Sequence, residues 1–101
     1  MSHKRPPSGG KVDANQAQIV RELRAMGFRV DIVAQLKKLY DLVVTGKVGG
    51  SGDIRTLRVE VKMPGEGLTF AEQEYWDAEQ FPETLIIAYQ TEDVLRWFGR
   101  I

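Results

Sequence analysis

The chain has 101 residues, of which 43% are hydrophobic and 28% charged, enough for one compact domain and too little for two. It has no cysteine and a single histidine, His3, which excludes disulfides, thiolate metal sites, histidine-built zinc sites and His-dependent triads. The formal net charge is zero but divided: 12 Lys/Arg against 6 Asp/Glu up to Lys62 (+6), then 2 against 8 from Met63 onward (−6). That split anticipates one basic surface able to meet phosphates and one acidic surface, or else a chance segregation of solvated charges.

Residues 1–12 hold Pro6, Pro7, Gly9 and Gly10 and no apolar periodicity, and read as a flexible basic tail carrying Lys4, Arg5 and Lys11. The tail lacks the apolar stretch of a signal peptide, and the run Leu85-Ile86-Ile87-Ala88 is far short of a membrane span, so a cytosolic protein is expected. The domain is expected over 13–101. Asp13 reads as an N-cap, and Ala17, Ile19, Val20, Leu23 and Met26 recur at helical spacing up to Gly27, predicting a helix over 14–26. Phe28, Val30 and Ile32 alternate with Arg29 and Asp31 as in a half-buried strand. Residues 34–40 read as a loop or turn. Asp41 opens a second strand over 41–45, and the glycine-rich stretch 46–53 reads as a flexible hairpin tip. Gly46 to Gly52 lacks the Gly-Lys-Ser/Thr ending and the following helix of a phosphate loop.

Leu57 to Lys62 alternates strictly, with Leu57, Val59 and Val61 on one face and Arg58, Glu60 and Lys62 on the other. Thr69 and Glu72 form a capping-box pattern that starts a helix reaching about Gln80, with Phe70, Gln73 and Trp76 expected on its sheet-facing stripe. Pro82 separates that helix from a strand over 84–89, and a last helix is expected over 92–98. The order is helix, three strands, helix, strand, helix, an α/β arrangement around a four-stranded mixed sheet flanked by helices.

The chemistry is concentrated in an acid at the start of one strand and acid-x-Lys on the next. Glu60 and Lys62 are two apart in a strand and leave the same face. If the strand of Asp41 lies alongside, the two carboxylates converge. Two carboxylates with a backbone carbonyl and waters suit a hard cation such as Mg²⁺ or Mn²⁺. Such an ion activates water and stabilises charge on a phosphate, while a neighbouring lysine orients the water or balances the phosphoryl charge. Taken singly, Glu60-x-Lys62 is the pattern of a solvated strand-face pair, and Asp41 that of a turn residue. Asp53 is a weaker alternative acid.

Tyr40-Asp41 followed by Val59-Glu60-Val61-Lys62 resembles the PD-(D/E)XK nuclease superfamily. Ile19-Val20, Leu23 and Gly27-Phe28-Arg29-Val30 are similar to the first helix and strand of archaeal Holliday junction resolvases, and Leu68-Thr69, Gln73 and Trp76 to the helix after the active-site strand in small phage-type and VRR-NUC nucleases. The resemblance covers about Asp13 to Tyr89. It implies a restriction-endonuclease-like αβββαβ core, Mg²⁺ (Mn²⁺ as substitute) held by Asp41, Glu60 and the Val61 carbonyl, and Lys62 beside the attacking water. Tyr40 stands where the motif has proline. Gln16 stands where resolvase-like members project a metal-directed glutamate, with Gln18 and Glu22 as neighbouring alternatives.

Gln73 is weighed as a buried amide supporting Lys62 or a substrate phosphate, against an ordinary boundary position on an amphipathic helix. Trp76 reads as core rather than as a stacking platform. Lys11, Arg24, Arg29, Lys37, Lys38 and Lys47 are candidate phosphate contacts, with Arg55 a further one. The expected partner is DNA, branched, flapped or four-way, with no organic cofactor. Small size and the resemblance together suggest a homodimer. The rival expectation is a catalytically silent nucleic-acid-binding or assembly module that keeps the fold.

Overall fold

The computed structural model describes residues 7–34 and 39–101, with side chains described from residue 13 onward. Its elements in chain order are α1 (Pro7–Ala25), β1 (Arg29–Ile32), β2 (Leu42–Lys47), β3 (Ile54–Val61), α2 (Phe70–Asp77), a 3-10 turn (Pro82–Thr84), β4 (Leu85–Ala88) and α3 (Thr91–Trp97). The four strands form one sheet in the order β1-β2-β3-β4. The first three pair antiparallel and β4 runs parallel to β3, a return that requires a crossover, here supplied by α2. The expected α/β core with its αβββαβ order and mixed sheet is what the chain forms.

Alternation along the strands sorts the two faces. Val30, Leu42, Val44, Leu57, Val59, Val61 and Ala88 turn to one side and meet Ile19, Val20 and Leu23 of α1 and Val94, Leu95 and Phe98 at α3 in a single buried cluster. Arg58, Glu60 and Lys62 turn to the other side, where α2 lies. Its polar side chains meet theirs through Glu72, Tyr75 and Glu79. One face is thus an apolar core and the other a polar layer, and Glu60 and Lys62 belong to the second.

Three expectations need correction. The first helix begins at Pro7, not after Asp13. A proline is at home in a first helical turn, where its missing N–H is no loss. Residues 7–12, expected as tail, are therefore helical, and Asp13 lies inside the helix rather than capping it. The glycine-rich connection between β2 and β3 is not a free tip, because the Gly49 N–H donates to the Phe98 carbonyl at 2.7 Å. A Cβ added at Gly49 would strike the Gly99 carbonyl oxygen, so glycine there permits direct backbone contact with the end of α3. The stripe of α2 facing the sheet is not Phe70-Gln73-Trp76: Phe70 is 80% exposed and Gln73 is exposed. The capping box at Thr69 and Glu72 is present in both directions, but the residues turned to the sheet are Glu72 and Glu79, drawn by Lys62 and Arg58.

Candidate active site

Asp41 immediately precedes β2. Its N–H donates to the Val59 carbonyl at 2.9 Å, one residue off the register in which Leu42 faces Val59. The Asp41 charge is felt by the Glu60 carboxyl, so the two carboxylates share one neighbourhood. Asp41 Oδ2 also accepts the Val61 N–H at 2.8 Å. A strand residue sends its N–H and C=O to the same side, so the Val61 carbonyl emerges beside the Asp41 carboxylate. The structure thus brings Asp41 to Glu60 and to the backbone N–H of Val61.

Glu60 is only 4% exposed. Burial first, then the charge of Asp41, pushes its carboxyl up to about 8, and a hydrogen bond shared with Glu72 adds to this. Burial likewise raises Asp41, against the opposing Val61 hydrogen bond. Lys62 Nζ lies 3.4 Å from Glu60 Oε2 and 2.9 Å from Glu72 Oε1. Burial disfavours the ammonium, but bonding to Glu72 and the charge of Glu60 outweigh it and hold the lysine above its usual range. Glu72 is also buried, and that burial is outweighed by the Thr69 N–H and by Lys62, which keep its carboxyl below the usual range.

Three acids thus share one ammonium in a poorly solvated layer. A hard cation fits that imbalance, with oxygen donors from Asp41, Glu60 and the Val61 carbonyl. Among the described residues no three or more Asp, Glu, His or Cys side chains form a metal cage. A metal held here would have two carboxylates and a carbonyl as donors, with the remaining positions left to water.

The other expected site residues are distributed differently. Gln16 is half-buried, but the α1 side chain that reaches the end of β3 is its neighbour Asn15, whose Nδ2 donates to the Lys62 and Tyr89 carbonyls at 3.3 and 3.1 Å. Gln73 turns away and donates to Asp77 at 2.9 Å; the neighbouring Glu72 occupies the place expected for it. Glu22 ties α1 to α3 by accepting the Thr91 hydroxyl, and Gln18 donates to it. Trp76 is half-buried, and its indole N–H is buried without a hydrogen-bond partner among the described residues.

Tyr40 stacks at 6.0 Å on Tyr75 and lies beneath the Arg58 guanidinium. Arg58 in turn donates to Tyr75 Oη, Glu79, Thr84 Oγ1 and the Phe81 carbonyl. This network clamps α2 over the polar face. Arg58 was legible only as an outward strand residue, and nothing local in the sequence marks Glu79 as its partner.

Of the expected phosphate contacts, Lys37 and Lys38 and the side chain of Lys11 lie outside the described residues. Arg24 donates to the Val30 carbonyl at 2.7 Å and closes the turn from α1 into β1. Arg29 and Lys47 are exposed but stand at the far end of the sheet. The six steps along β3 from the Lys47 partner Ile54 to Glu60 span ~20 Å at ~3.3 Å per residue. These cations do not line the acidic cluster. Comparison with family models, with curated proteins and with solved structures returned no match.

Proposed function

We propose that the chain is a metal-dependent nuclease of PD-(D/E)XK type that hydrolyses DNA phosphodiesters. The observation that carries the reading is the meeting of Asp41, from the start of one strand, with Glu60 and Lys62 from the next, on a buried polar layer. Asp41, Glu60 and the Val61 carbonyl would hold Mg²⁺, or Mn²⁺ in its place. When bound, that ion supplies Lewis-acid stabilisation of phosphate charge and a water of lowered pKa.

The chain's own residues do the rest. The Val61 N–H fixes the rotamer of Asp41, so one carboxylate oxygen is committed and the other is aimed. Burial keeps Glu60 poised to exchange a proton for a cation. Lys62, held as an ammonium, sits where it can orient a water or balance phosphoryl charge. Two copies acting together would present two such sites to duplex or branched DNA, which sedimentation at working concentrations reads directly.

A second reading is a nucleic-acid-binding or assembly module that keeps the arrangement without turnover. It is favoured by one observation: Lys62 already bridges Glu60 and Glu72, so the cluster is partly compensated from within. Plasmid, flap, single-stranded and four-way-junction DNA, each with Mg²⁺, Mn²⁺ or EDTA, separate the two. Cutting that needs metal and is lost in Glu60→Ala and Lys62→Ala supports the nuclease. Binding without cutting in either metal supports the module, and cutting unaltered in those variants assigns the activity to a contaminant.

A further inference from the structure

We propose that Glu72 is a positioning residue of this site, holding the Lys62 ammonium from the α2 side so that the lysine stays beside the cation position instead of filling the Glu60 oxygens. This rests on the metal-dependent reading above and adds to it a residue outside the acid-x-lysine motif.

The geometry separates two duties of one side chain. As the third residue of α2, Glu72 accepts the Thr69 N–H at 2.8 Å, while its own N–H donates to Thr69 Oγ1 at 3.2 Å. That reciprocal cap fixes the direction of the side chain, and glutamine serves it equally well. The same oxygen, Oε1, accepts Lys62 Nζ at 2.9 Å, closer than the 3.4 Å to Glu60. Only a carboxylate gives that bond its charge, and both side chains are about nine-tenths buried, where a charge-assisted bond is strong.

A cation between Asp41 and Glu60 needs the Glu60 oxygens. The ammonium, bound more closely to Glu72, remains in place when Glu60 turns to the ion. Without the Glu72 charge, Glu60 is the one carboxylate among the described residues left in contact with Lys62, and lysine and cation compete for the same oxygens. The Thr69 N–H, a backbone donor that survives in Thr69→Ala, sets where the Glu72 carboxylate points, and through it the start of α2 sets where the lysine stands.

The test is a double-mutant cycle on the full chain, with Glu72→Gln, Lys62→Met and the pair together. Mn²⁺ binding is read by calorimetry and DNA cutting in parallel, and Thr69→Ala serves as a cap control. Glu72→Gln should weaken Mn²⁺ binding by about 10- to 100-fold, the usual effect of losing a residue that orients a metal site, and lower kcat more than it raises KM. It should have no further effect in the Lys62→Met background. Thr69→Ala should lower Tm while leaving Mn²⁺ binding in place. Equal losses in both backgrounds would show Glu72 acting on the ion through its own charge, and an unchanged Glu72→Gln would reduce it to a cap; either overturns the proposal. If the wild type neither binds Mn²⁺ nor cuts, the nuclease reading fails, and labelling of Lys62 by an amine-acylating reagent still reads the contact. Faster labelling in Glu72→Gln supports the hold on the lysine, and unchanged labelling refutes it.

Discussion

Asp41 is attached to β3 twice, its N–H donating to the Val59 carbonyl at 2.9 Å and its carboxylate accepting the Val61 N–H at 2.8 Å. The carboxylate thus stands in for the carbonyl that a longer β2 would have offered. The residue that ends the ladder is the one that opens the site, and its orientation is set by backbone rather than by a flexible neighbour.

Two substitutions separate these roles. Asp41→Asn keeps an oxygen for the Val61 N–H but removes the charge. It should leave urea stability near wild type while reducing Mn²⁺ affinity and cutting by about two orders of magnitude, several kcal/mol of lost charge stabilisation. Asp41→Ala removes both functions and should cost about 1–3 kcal/mol more in stability, the penalty of an unsatisfied buried donor. Full cutting by Asp41→Asn would remove Asp41 from the metal site.

The metal-free protein should lose stability as pH rises. Glu60 titrates at about 8 in the fold, raised by burial and by Asp41, against an ordinary 4.5. Between those values the folded state holds a proton that the unfolded chain has released, so stability is highest near pH 4.5, falls towards pH 8 and is level beyond. At about 1.4 kcal/mol per unit the fall is on the order of a few kcal/mol. Asp41, raised by burial, acts in the same sense, whereas Glu72, lowered, loses its contribution only as pH falls through the acidic range. Urea midpoints in EDTA at pH 5.5, 7 and 8.5 should decline in that order and flatten in Glu60→Gln. Added Mn²⁺ should stabilise more at pH 8.5 than at 5.5, because it binds the ionised carboxylate. Midpoints in EDTA that do not move with pH would contradict a Glu60 carboxyl raised by burial and by Asp41.

What could be read from the sequence follows the range of the forces involved. The period of two in Leu57 to Lys62 and the reciprocal Thr69–Glu72 cap are local, and both are present. The shared side of Glu60 and Lys62 follows from parity along β3, whereas Asp41 lies just outside the regular ladder. The choice between Gln73 and Glu72 as the residue facing Lys62 is a rotation of about 100° about the α2 axis, and only partners distant in sequence decide it. Arg58 and Lys62 present cations to the helix, so Glu79 and Glu72 turn inward and the apolar Phe70 is left outside. Asn15 carries no local signal for a similar reason, since its partners are carbonyls 47 and 74 residues away. The start of α1 escaped because Gly9 and Gly10 oppose a helix that nevertheless includes them.

Arg58 should act on the site through α2 without touching it. Its guanidinium raises its own pKa through Glu79 and holds the Glu79 carboxyl down to about 2, and its other donors reach the 3-10 turn through Thr84 and Phe81. Arg58→Met should lower Tm by several degrees and speed amide exchange across α2 and the 3-10 turn. Lys should not rescue it, because a single ammonium cannot reproduce the planar fork that serves four acceptors. Unaltered exchange in α2 would show that the helix is held by other contacts.

The separation of the exposed cations from the acidic cluster predicts how DNA length matters. Lys47 and Arg29 stand near Arg100, whose side chain stacks at 5.0 Å on Phe28 and donates to the Lys47 carbonyl, and Arg55 lies opposite Gly46. Arg29 pairs with Asp31 at 3.2 Å, but that pair is solvent-exposed and weakly held, so the guanidinium is available to a phosphate. A strand of B-DNA advances ~3.4 Å per phosphate, so a backbone engaged at Glu60 meets this group about six nucleotides away. In a Lys47→Ala/Arg29→Ala double variant, the slope of log affinity against log salt on a 20-base-pair duplex should fall by about 2, close to 0.9 per lost phosphate contact, with Mn²⁺ binding untouched. On fragments of about five base pairs, too short to reach both ends of the sheet, variant and wild type should bind alike. An unchanged salt slope on the long duplex would mean that the backbone leaves the acidic cluster in another direction, and that the basic end of the sheet serves something other than the nucleic acid being cut.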